Sequence, residues 1–309
     1  KSARRPRALA RASEYLLRNL SRCYKLSRHA RNYVLTGSTG RTSIVHMTQL
    51  RWKLAMNSSS HVPPDQSPNT DSVRSTLLQT IREYGSCAIA FSGGVDSAVV
   101  AQAAHLALGT QAVAVTGVSD SLAGGELELA RSLATQIGIR HIELPTEEFA
   151  NPQYTQNTSD RCFHCKTELY SQMALRLTEW NVSVVCNGAN TDDLKDYRPG
   201  LLAASQHQVR SPLADCGIDK EQVRQLAHHW KLPVWDKPAT PCLSSRVAYG
   251  EQVTPERLHM IDEAELFLRQ LGLRHLRVRY HSGDVARIEV PLESLSSGSY
   301  THLTLPTKA

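Results

Sequence analysis

From residue 71 onward, short wholly apolar runs alternate with stretches in which apolar side chains recur every three or four positions. The periods predict a helix from Val73 to Tyr84, a strand over 87–91 and a helix over 97–108 ended by Gly109. A strand from Ala112 to Val118, a helix from Gly125 to Ile137 ended by Gly138 and a short strand from His141 to Leu144 follow. A helix from Cys165 to Trp180 and a strand from Val182 to Gly188 continue the alternation. Such a series implies an α/β fold, a parallel sheet with helices on both faces. Ligands of such sheets sit at the carboxyl ends of the strands, which places the loops after Phe91 and Val118 and the loop 189–200 on one edge. Beyond residue 250 a helix from Pro255 to Leu271 and strands 275–281 and 285–290 predict a small α+β C-terminal domain. Arg277 and Arg279 share one face of the first of these strands, read equally well as facing a site or facing solvent.

Between the strand 87–91 and the next helix stands Ser92-Gly93-Gly94-Val95-Asp96-Ser97. Two glycines let the backbone turn tightly against an anion, and the following helix aims free N–H groups and its dipole at negative charge. Ser92 and Ser97 add hydroxyl donors. Asp96 repels phosphate, so a carboxylate at this place argues for Mg2+ bridging to a nucleotide. No Gly-Lys-Ser/Thr follows and the spacing is not Gly-x-Gly-x-x-Gly, so neither of those phosphate loops applies.

Composition changes the picture mainly at the N-terminus. The formal net charge is +6, yet residues 1–69 carry 13 Lys+Arg against 2 Asp+Glu, which leaves 22 against 27 in residues 70–309. The folded part is therefore mildly acidic, which disfavours a nucleic-acid partner. The Arg- and Ser-rich segment 1–69 is expected to be a disordered extension, either an import segment or non-native sequence, with Pro63, Pro64 and Pro68 marking a linker. Without about 20 consecutive apolar residues no membrane span is expected, and a cytoplasmic protein follows unless 1–69 directs organelle import. The remaining divisions read from the pattern are 70–237, 238–293, taken as an apparently truncated second domain, and an irregular tail 294–309.

Seven cysteines in a chain of this length, without a secretory signal, do not suggest a disulfide framework. Cys87 and Cys186 fall inside strand patterns and are expected to be small core residues. Cys162 and Cys165, in Arg-Cys-Phe-His-Cys-Lys, sit at a predicted helix start, where Arg161, Lys166 and the helix dipole are expected to favour thiolate. That pair suits a metal, a cluster or a redox couple. Cys242, in Pro-Cys-Leu-Ser-Ser-Arg, lies in an aperiodic loop beside Arg246, which is expected to promote its thiolate. Asp192, Asp193, Asp196 and Arg198 concentrate charge in the loop 189–200, as a solvated capping loop also does.

The loop at 92–97 resembles the PP-loop of the N-type ATP pyrophosphatases, which split ATP into AMP and pyrophosphate. Taken with Arg-Cys-x-x-Cys-Lys, Gly-Ala-Asn-Thr-Asp-Asp-Leu-Lys-Asp-Tyr-Arg-Pro-Gly (188–200) and Pro-Ala-Thr-Pro-Cys-Leu-Ser-Ser-Arg (238–246), it resembles the LarE-type ATP-dependent sulfur transferases over about residues 71 to 290. The resemblance implies that ATP adenylates a carboxylate of pyridinium-3,5-biscarboxylic acid mononucleotide, that sulfur displaces AMP, and that the thiocarboxylate serves nickel-pincer cofactor synthesis. It implies that Ser92, Gly93, Gly94, Val95, Asp96 and Ser97 hold ATP and Mg2+, with catalytic roles for Asp96, Cys242 and Arg246. Asp192, Asp193, Asp196, Arg198 and Arg246 become candidates for binding the carboxylate nucleotide.

Two versions of the sulfur step follow from the resemblance. In one, Cys242 surrenders its own sulfur and becomes dehydroalanine. In the other, Cys162, Cys165 and Cys242 bind a [4Fe-4S] cluster whose unligated iron holds an exchangeable sulfide; this chain carries all three cysteines, which favours the cluster. Zinc is the rival metal, with His164 as a fourth ligand. Other readings are a PP-loop tRNA thiolase, an amidating NAD or GMP synthase-like enzyme, and a non-catalytic nucleotide or iron–sulfur protein. A homo-oligomer is compatible with every reading.

Overall fold

The computed structural model describes residues 35–36, 42–43, 68–196, 198–273 and 275–291. The expectations for the tail 294–309 lie outside these residues. So do those for the basic segment 1–69, apart from the antiparallel pair Leu35–Thr36 and Thr42–Ser43 and the first two residues of a helix.

Four strands form the central sheet: β1 (Cys87–Ala90), β2 (Ala112–Val118), β3 (Arg140–Pro145) and β4 (Val184–Cys186). They run parallel in the order β3-β2-β1-β4. Cys87 stands opposite both Ala112 and Val184. Because strand side chains alternate, Cys87, Ile89, Ala112 and Ala114 feed one buried cluster, while Ala88, Ala90, Val113 and Val115 feed the other. Both faces are thus covered, as the unbroken apolar runs require.

The first face packs against α1 (Pro68–Arg82), α2 (Val95–Leu108), α3 (Glu126–Ile137) and α6 (Lys220–His229). The second packs against α4 (Arg161–Ala174) and α5 (Pro199–Gln206). In α2 the run Ala98–Ala101 and Ala103–Ala104 has no exposed surface, so the first half of this helix is enclosed, while Leu106 near its end is half exposed. Cys87 and Cys186 are buried core residues, and the six cysteines among the described residues are free.

Several boundaries differ from the sequence pattern for local reasons. Pro68 opens α1 rather than closing a linker, consistent with a fixed φ and missing N–H being harmless at a helix start. The helix predicted over 165–180 begins at Arg161 and breaks after Ala174, where Arg176 Nη1 turns back onto the Gln172 carbonyl at 2.9 Å. The loop read as 189–200 ends at Arg198, because Pro199 starts α5.

Residues 68–263 belong to one compact unit and residues 264–291 to another. In the second, β5 (Arg277–His281) and β6 (Val285–Glu289) form an antiparallel hairpin. Arg277 and Arg279 do share a face, opposite buried Val278 and Tyr280, and Arg279 Nε donates to Glu289 at 2.8 Å. The wholly buried Glu265 accepts the Val278 N–H at 3.0 Å and Arg269 Nη2 at 2.8 Å.

Candidate functional site

The strand order reverses between β1 and β4, and at such a switch point the loops following the two strands part to leave a crevice. The loop after β1 is 92–97. Gly93 takes φ +71°, a conformation other residues adopt only with strain, and Gly94 caps α2 without any side-chain cap bond. The start of α2 therefore presents first-turn N–H groups to the crevice, the arrangement that receives phosphate. Ser97 Oγ donates to the Gly94 carbonyl at 3.0 Å and accepts the Ser92 N–H at 3.2 Å, which closes the loop on itself. Val95 is in the core, so it offers the crevice its backbone alone.

The loop after β4 supplies the other wall. A Cβ on Gly188 would lie 2.8 Å from the Ser97 nitrogen and 3.0 Å from the Asp96 carbonyl carbon, so glycine is what allows β4 to approach α2. Gly188→Ala is expected to destabilise the protein by about 1–3 kcal/mol, since only backbone can yield. Urea unfolding would read this directly, and nucleotide affinity should fall with it.

Asp96 is tied to this wall. Asn190, 2% exposed, donates Nδ2 to Asp96 Oδ1 at 3.0 Å, while its Oδ1 accepts the N–H groups of Asp192 and Asp193 at 3.0 and 3.3 Å. Lys220, at the start of α6, places Nζ 2.8 and 2.6 Å from the two Asp96 oxygens and donates its backbone N–H to Asp192 at 3.0 Å. Neither Asn190 nor Lys220 stood among the sequence-derived site residues. A signal for Lys220 was present, because Asp219 and Gln222 form the capping box that starts its helix.

The acidic loop divides in two. Asp192 serves the Asp96 side and pairs with Lys195 at 2.8 Å, which holds its carboxyl below the usual range. Arg198 pairs with Asp193 at 2.7 Å and approaches Asp196 at 3.7 Å. Asp196 and Arg198 line a cavity of about 420 Å³ together with Phe163, His164, Pro199 and Leu202. A Cβ on Gly200 would meet Lys166 Cγ at 3.2 Å, so the end of this loop lies against the cysteine-bearing helix.

Cys162 and Cys165 occupy the first turns of α4, and Cys242 caps the short 3-10 turn Leu243–Arg246. A side-chain scaffold joins the two. Arg161, 5% exposed, donates to Asn157 Oδ1 at 2.5 Å and to the Ser244 carbonyl at 2.7 Å. Tyr154 and Ser244 share a hydroxyl bond of 2.6 Å, and Asn157 donates to the carbonyls of Val247, Ala248 and Glu251. Arg246, 2% exposed, clamps the turn by donating to the carbonyls of Pro241 and Cys242.

Of the three, Cys165 is closely surrounded, while Cys162 is exposed. Burial pushes the Cys165 thiol up to about 12; Lys166 opposes this, and Glu148, Cys242 and Cys162 add to it. The expectation that Arg161, Lys166 and the dipole favour thiolate therefore fails at Cys165: burial outweighs Lys166, and the Arg161 guanidinium is committed to Asn157 and Ser244. Burial opposes the charge of Lys166, yet Tyr170, Cys165, Cys242 and Cys162 together raise its pKa. Among the described residues no three His, Cys, Asp or Glu side chains converge as ligands of one ion. His164 instead faces Asp160 at 3.4 Å.

Glu148 was also missed. It is 2% exposed and accepts Ser119 and Ser121 hydroxyls at 2.5 and 2.9 Å on one oxygen, while the other is buried without a hydrogen-bond partner among the described residues. The Leu243 N–H donates to the Ser121 carbonyl at 2.9 Å, so the loop after β2 also braces the Cys242 turn. No helix of the described residues is long and apolar enough to cross a membrane.

Comparison with known proteins agrees with this architecture. The asparagine synthase family model matches residues 70–178. An uncharacterised protein of Synechocystis is 48% identical over 219 residues, covering 71% of this chain and 81% of the relative. The pyridinium-3,5-bisthiocarboxylic acid mononucleotide synthase of Lactiplantibacillus plantarum is 34% identical over 219 residues, covering 71% of this chain and 79% of that enzyme. An uncharacterised protein of Methanocaldococcus jannaschii is 32% identical over 141 residues, 45% of this chain and 55% of its own. With a PP-loop at the switch point of a parallel sheet and kinship of this extent, the chain belongs to the LarE-type ATP-dependent sulfur transferases.

Proposed function

We propose that the protein converts a carboxylate of pyridinium-3,5-biscarboxylic acid mononucleotide into a thiocarboxylate, using sulfur delivered at Cys162, Cys165 and Cys242. The substrate follows from kinship to the Lactiplantibacillus plantarum synthase. The observation that supports the sulfur route is the hydrogen-bonded scaffold of Tyr154, Arg161 and Ser244 that fastens the Cys242 turn to the start of α4, where Cys162 and Cys165 stand.

A substrate carboxylate oxygen attacks the α-phosphorus of ATP, the bond to the β-phosphate bridging oxygen breaks, and pyrophosphate leaves. A sulfur nucleophile then attacks the acyl carbon, and AMP departs with the electron pair of the C–O bond. The start of α2 and the hydroxyls of Ser92 and Ser97 hold the phosphates. Asp96 is the one carboxylate of the cradle and suits Mg2+, which would neutralise phosphate charge. Arg198, half exposed in the cavity beside Phe163, is the candidate for substrate phosphate or carboxylate, whereas the buried Arg246, also expected to bind substrate, is spent on the carbonyls of the Cys242 turn.

Three cysteines on two segments fastened together, the start of α4 and the Cys242 turn, are the set that would hold a [4Fe-4S] cluster. Cys162, Cys165 and Cys242 would hold such a cluster by three thiolates, and it would supply an exchangeable sulfide. Lys166 would offset the negative charge that the thiolates bring into this partly buried place. Protein purified without oxygen should contain about four iron and four acid-labile sulfide per chain, lost in Cys162→Ala. Iron-free protein that loses about 34 Da on turnover, as thiol becomes dehydroalanine, would overturn the cluster in favour of Cys242 as a single-use donor.

A further inference from the structure

We propose that Lys220 is a built-in cation that Mg2+ and ATP must displace from Asp96, and that the freed ammonium then serves the nucleotide's phosphates. The inference rests on the reading that Asp96 holds Mg2+.

The Lys220 ammonium engages both carboxylate oxygens of Asp96, at 2.8 and 2.6 Å. Oδ1 also accepts Asn190 Nδ2 at 3.0 Å. Mg2+ requires a ligand oxygen at about 2.0–2.1 Å in a nearly octahedral shell. Of the roughly four lone-pair sites of the carboxylate, Lys220 takes two and Asn190 a third, and an ammonium this close repels a dication arriving at the remaining one, so Mg2+ and the ammonium compete for Asp96. The pair is open enough to exchange, since the two side chains keep 36% and 26% of their surface, unlike a sealed ion pair.

Withdrawal does not carry Lys220 away. Its backbone is fixed by the Asp192 carboxylate and by the Asp219–Gln222 capping box. The ammonium must therefore stay within one side-chain length of the crevice. A divalent ion on Asp96 repels it, and the phosphates attract it. Lys220 thus supplies in the empty enzyme the positive charge that Asp96 and the packed loop need, and supplies the same charge to ATP afterwards. No lysine follows the glycines of this loop, so the cationic phosphate partner comes from α6, 124 residues beyond Asp96.

The test is the Mg2+ dependence of binding of α,β-methylene ATP, which the enzyme cannot cleave, followed by calorimetry on the full chain. Lys220→Met removes the competitor, so the Mg2+ concentration for half-maximal binding should fall about fivefold. Affinity at saturating Mg2+ should fall about tenfold, the loss of one charge-assisted contact. Lys220→Arg, whose fork grips carboxylate more firmly, should raise the Mg2+ requirement above that of the unmodified protein. A requirement in Lys220→Met equal to or above the unmodified value overturns the proposal, as does undiminished affinity. If Lys220→Met does not fold, Lys220→Arg decides, and an unchanged or lower requirement overturns it. Asp96→Asn keeps the two readings apart. If it leaves the Mg2+ requirement unaltered, the metal assignment itself falls; if it moves the requirement and Lys220→Met does not, only the role of Lys220 falls.

Discussion

Cys242→Ala is expected to abolish formation of the thiocarboxylate, by about 10³-fold or more, while ATP still binds and the carboxylate is still adenylated. Under either sulfur route Cys242 is indispensable, as the donor itself or as one of three ligands, and removing a nucleophile or the group that carries it costs far more than removing a binding contact. The substitution should spare ATP binding because the cradle is built by α2, Gly188, Asn190 and Lys220, whereas the Cys242 turn is held by Tyr154, Arg161 and the loop after β2. Fold is spared for a second reason. The turn is held by Tyr154, Asn157, Arg161 and Arg246 through Ser244 and through backbone carbonyls, so the Cys242 side chain is not a strut. Product analysis with a parallel count of released pyrophosphate checks this. Unchanged thiocarboxylate yield would remove Cys242 from the mechanism.

Asp96→Asn should lower pyrophosphate release by about 100-fold, the usual loss when one preorganised charge at a developing phosphate charge is removed. The amide is nearly isosteric but neutral, and it leaves Lys220 without its anionic partner. Because that pair is partly solvated, stability should change little, within about 1 kcal/mol. A melting curve beside the pyrophosphate assay separates the two effects. Normal release would overturn the assignment of Mg2+ to Asp96.

The centre of the sheet was legible because β1 and most of β2 are buried on both faces and read as unbroken apolar runs, and because Gly109 and Gly138 close their helices. The cradle was legible for a similar reason: Gly93 and Gly94 carry their chemistry in the local backbone. What closes the cradle was not. Asn190 and Lys220 reach Asp96 only through the β1–β4 adjacency and the packing of α6, and sequence periodicity says little about which loops meet across a sheet. Glu148 was hidden by looking like any surface acid ahead of Phe149, although the fold buries it under Ser119 and Ser121. The charge state expected for Cys165 went astray through the same gap, since burial depends on tertiary packing and outweighs the lysine next door. Arg161, read as an electrostatic aid, is a structural brace.

That brace makes the position of Cys242 independent of the other two cysteines. The Cys242 turn is fastened to the start of α4 by Tyr154, Asn157 and Arg161, through hydroxyl, amide and guanidinium groups rather than through sulfur or metal. Replacing Cys162 or Cys165 would leave every one of these fasteners in place. The placing of the Cys242 turn therefore does not depend on the thiols of α4, and a double Cys162→Ala, Cys165→Ala variant is expected to keep the turn where it is.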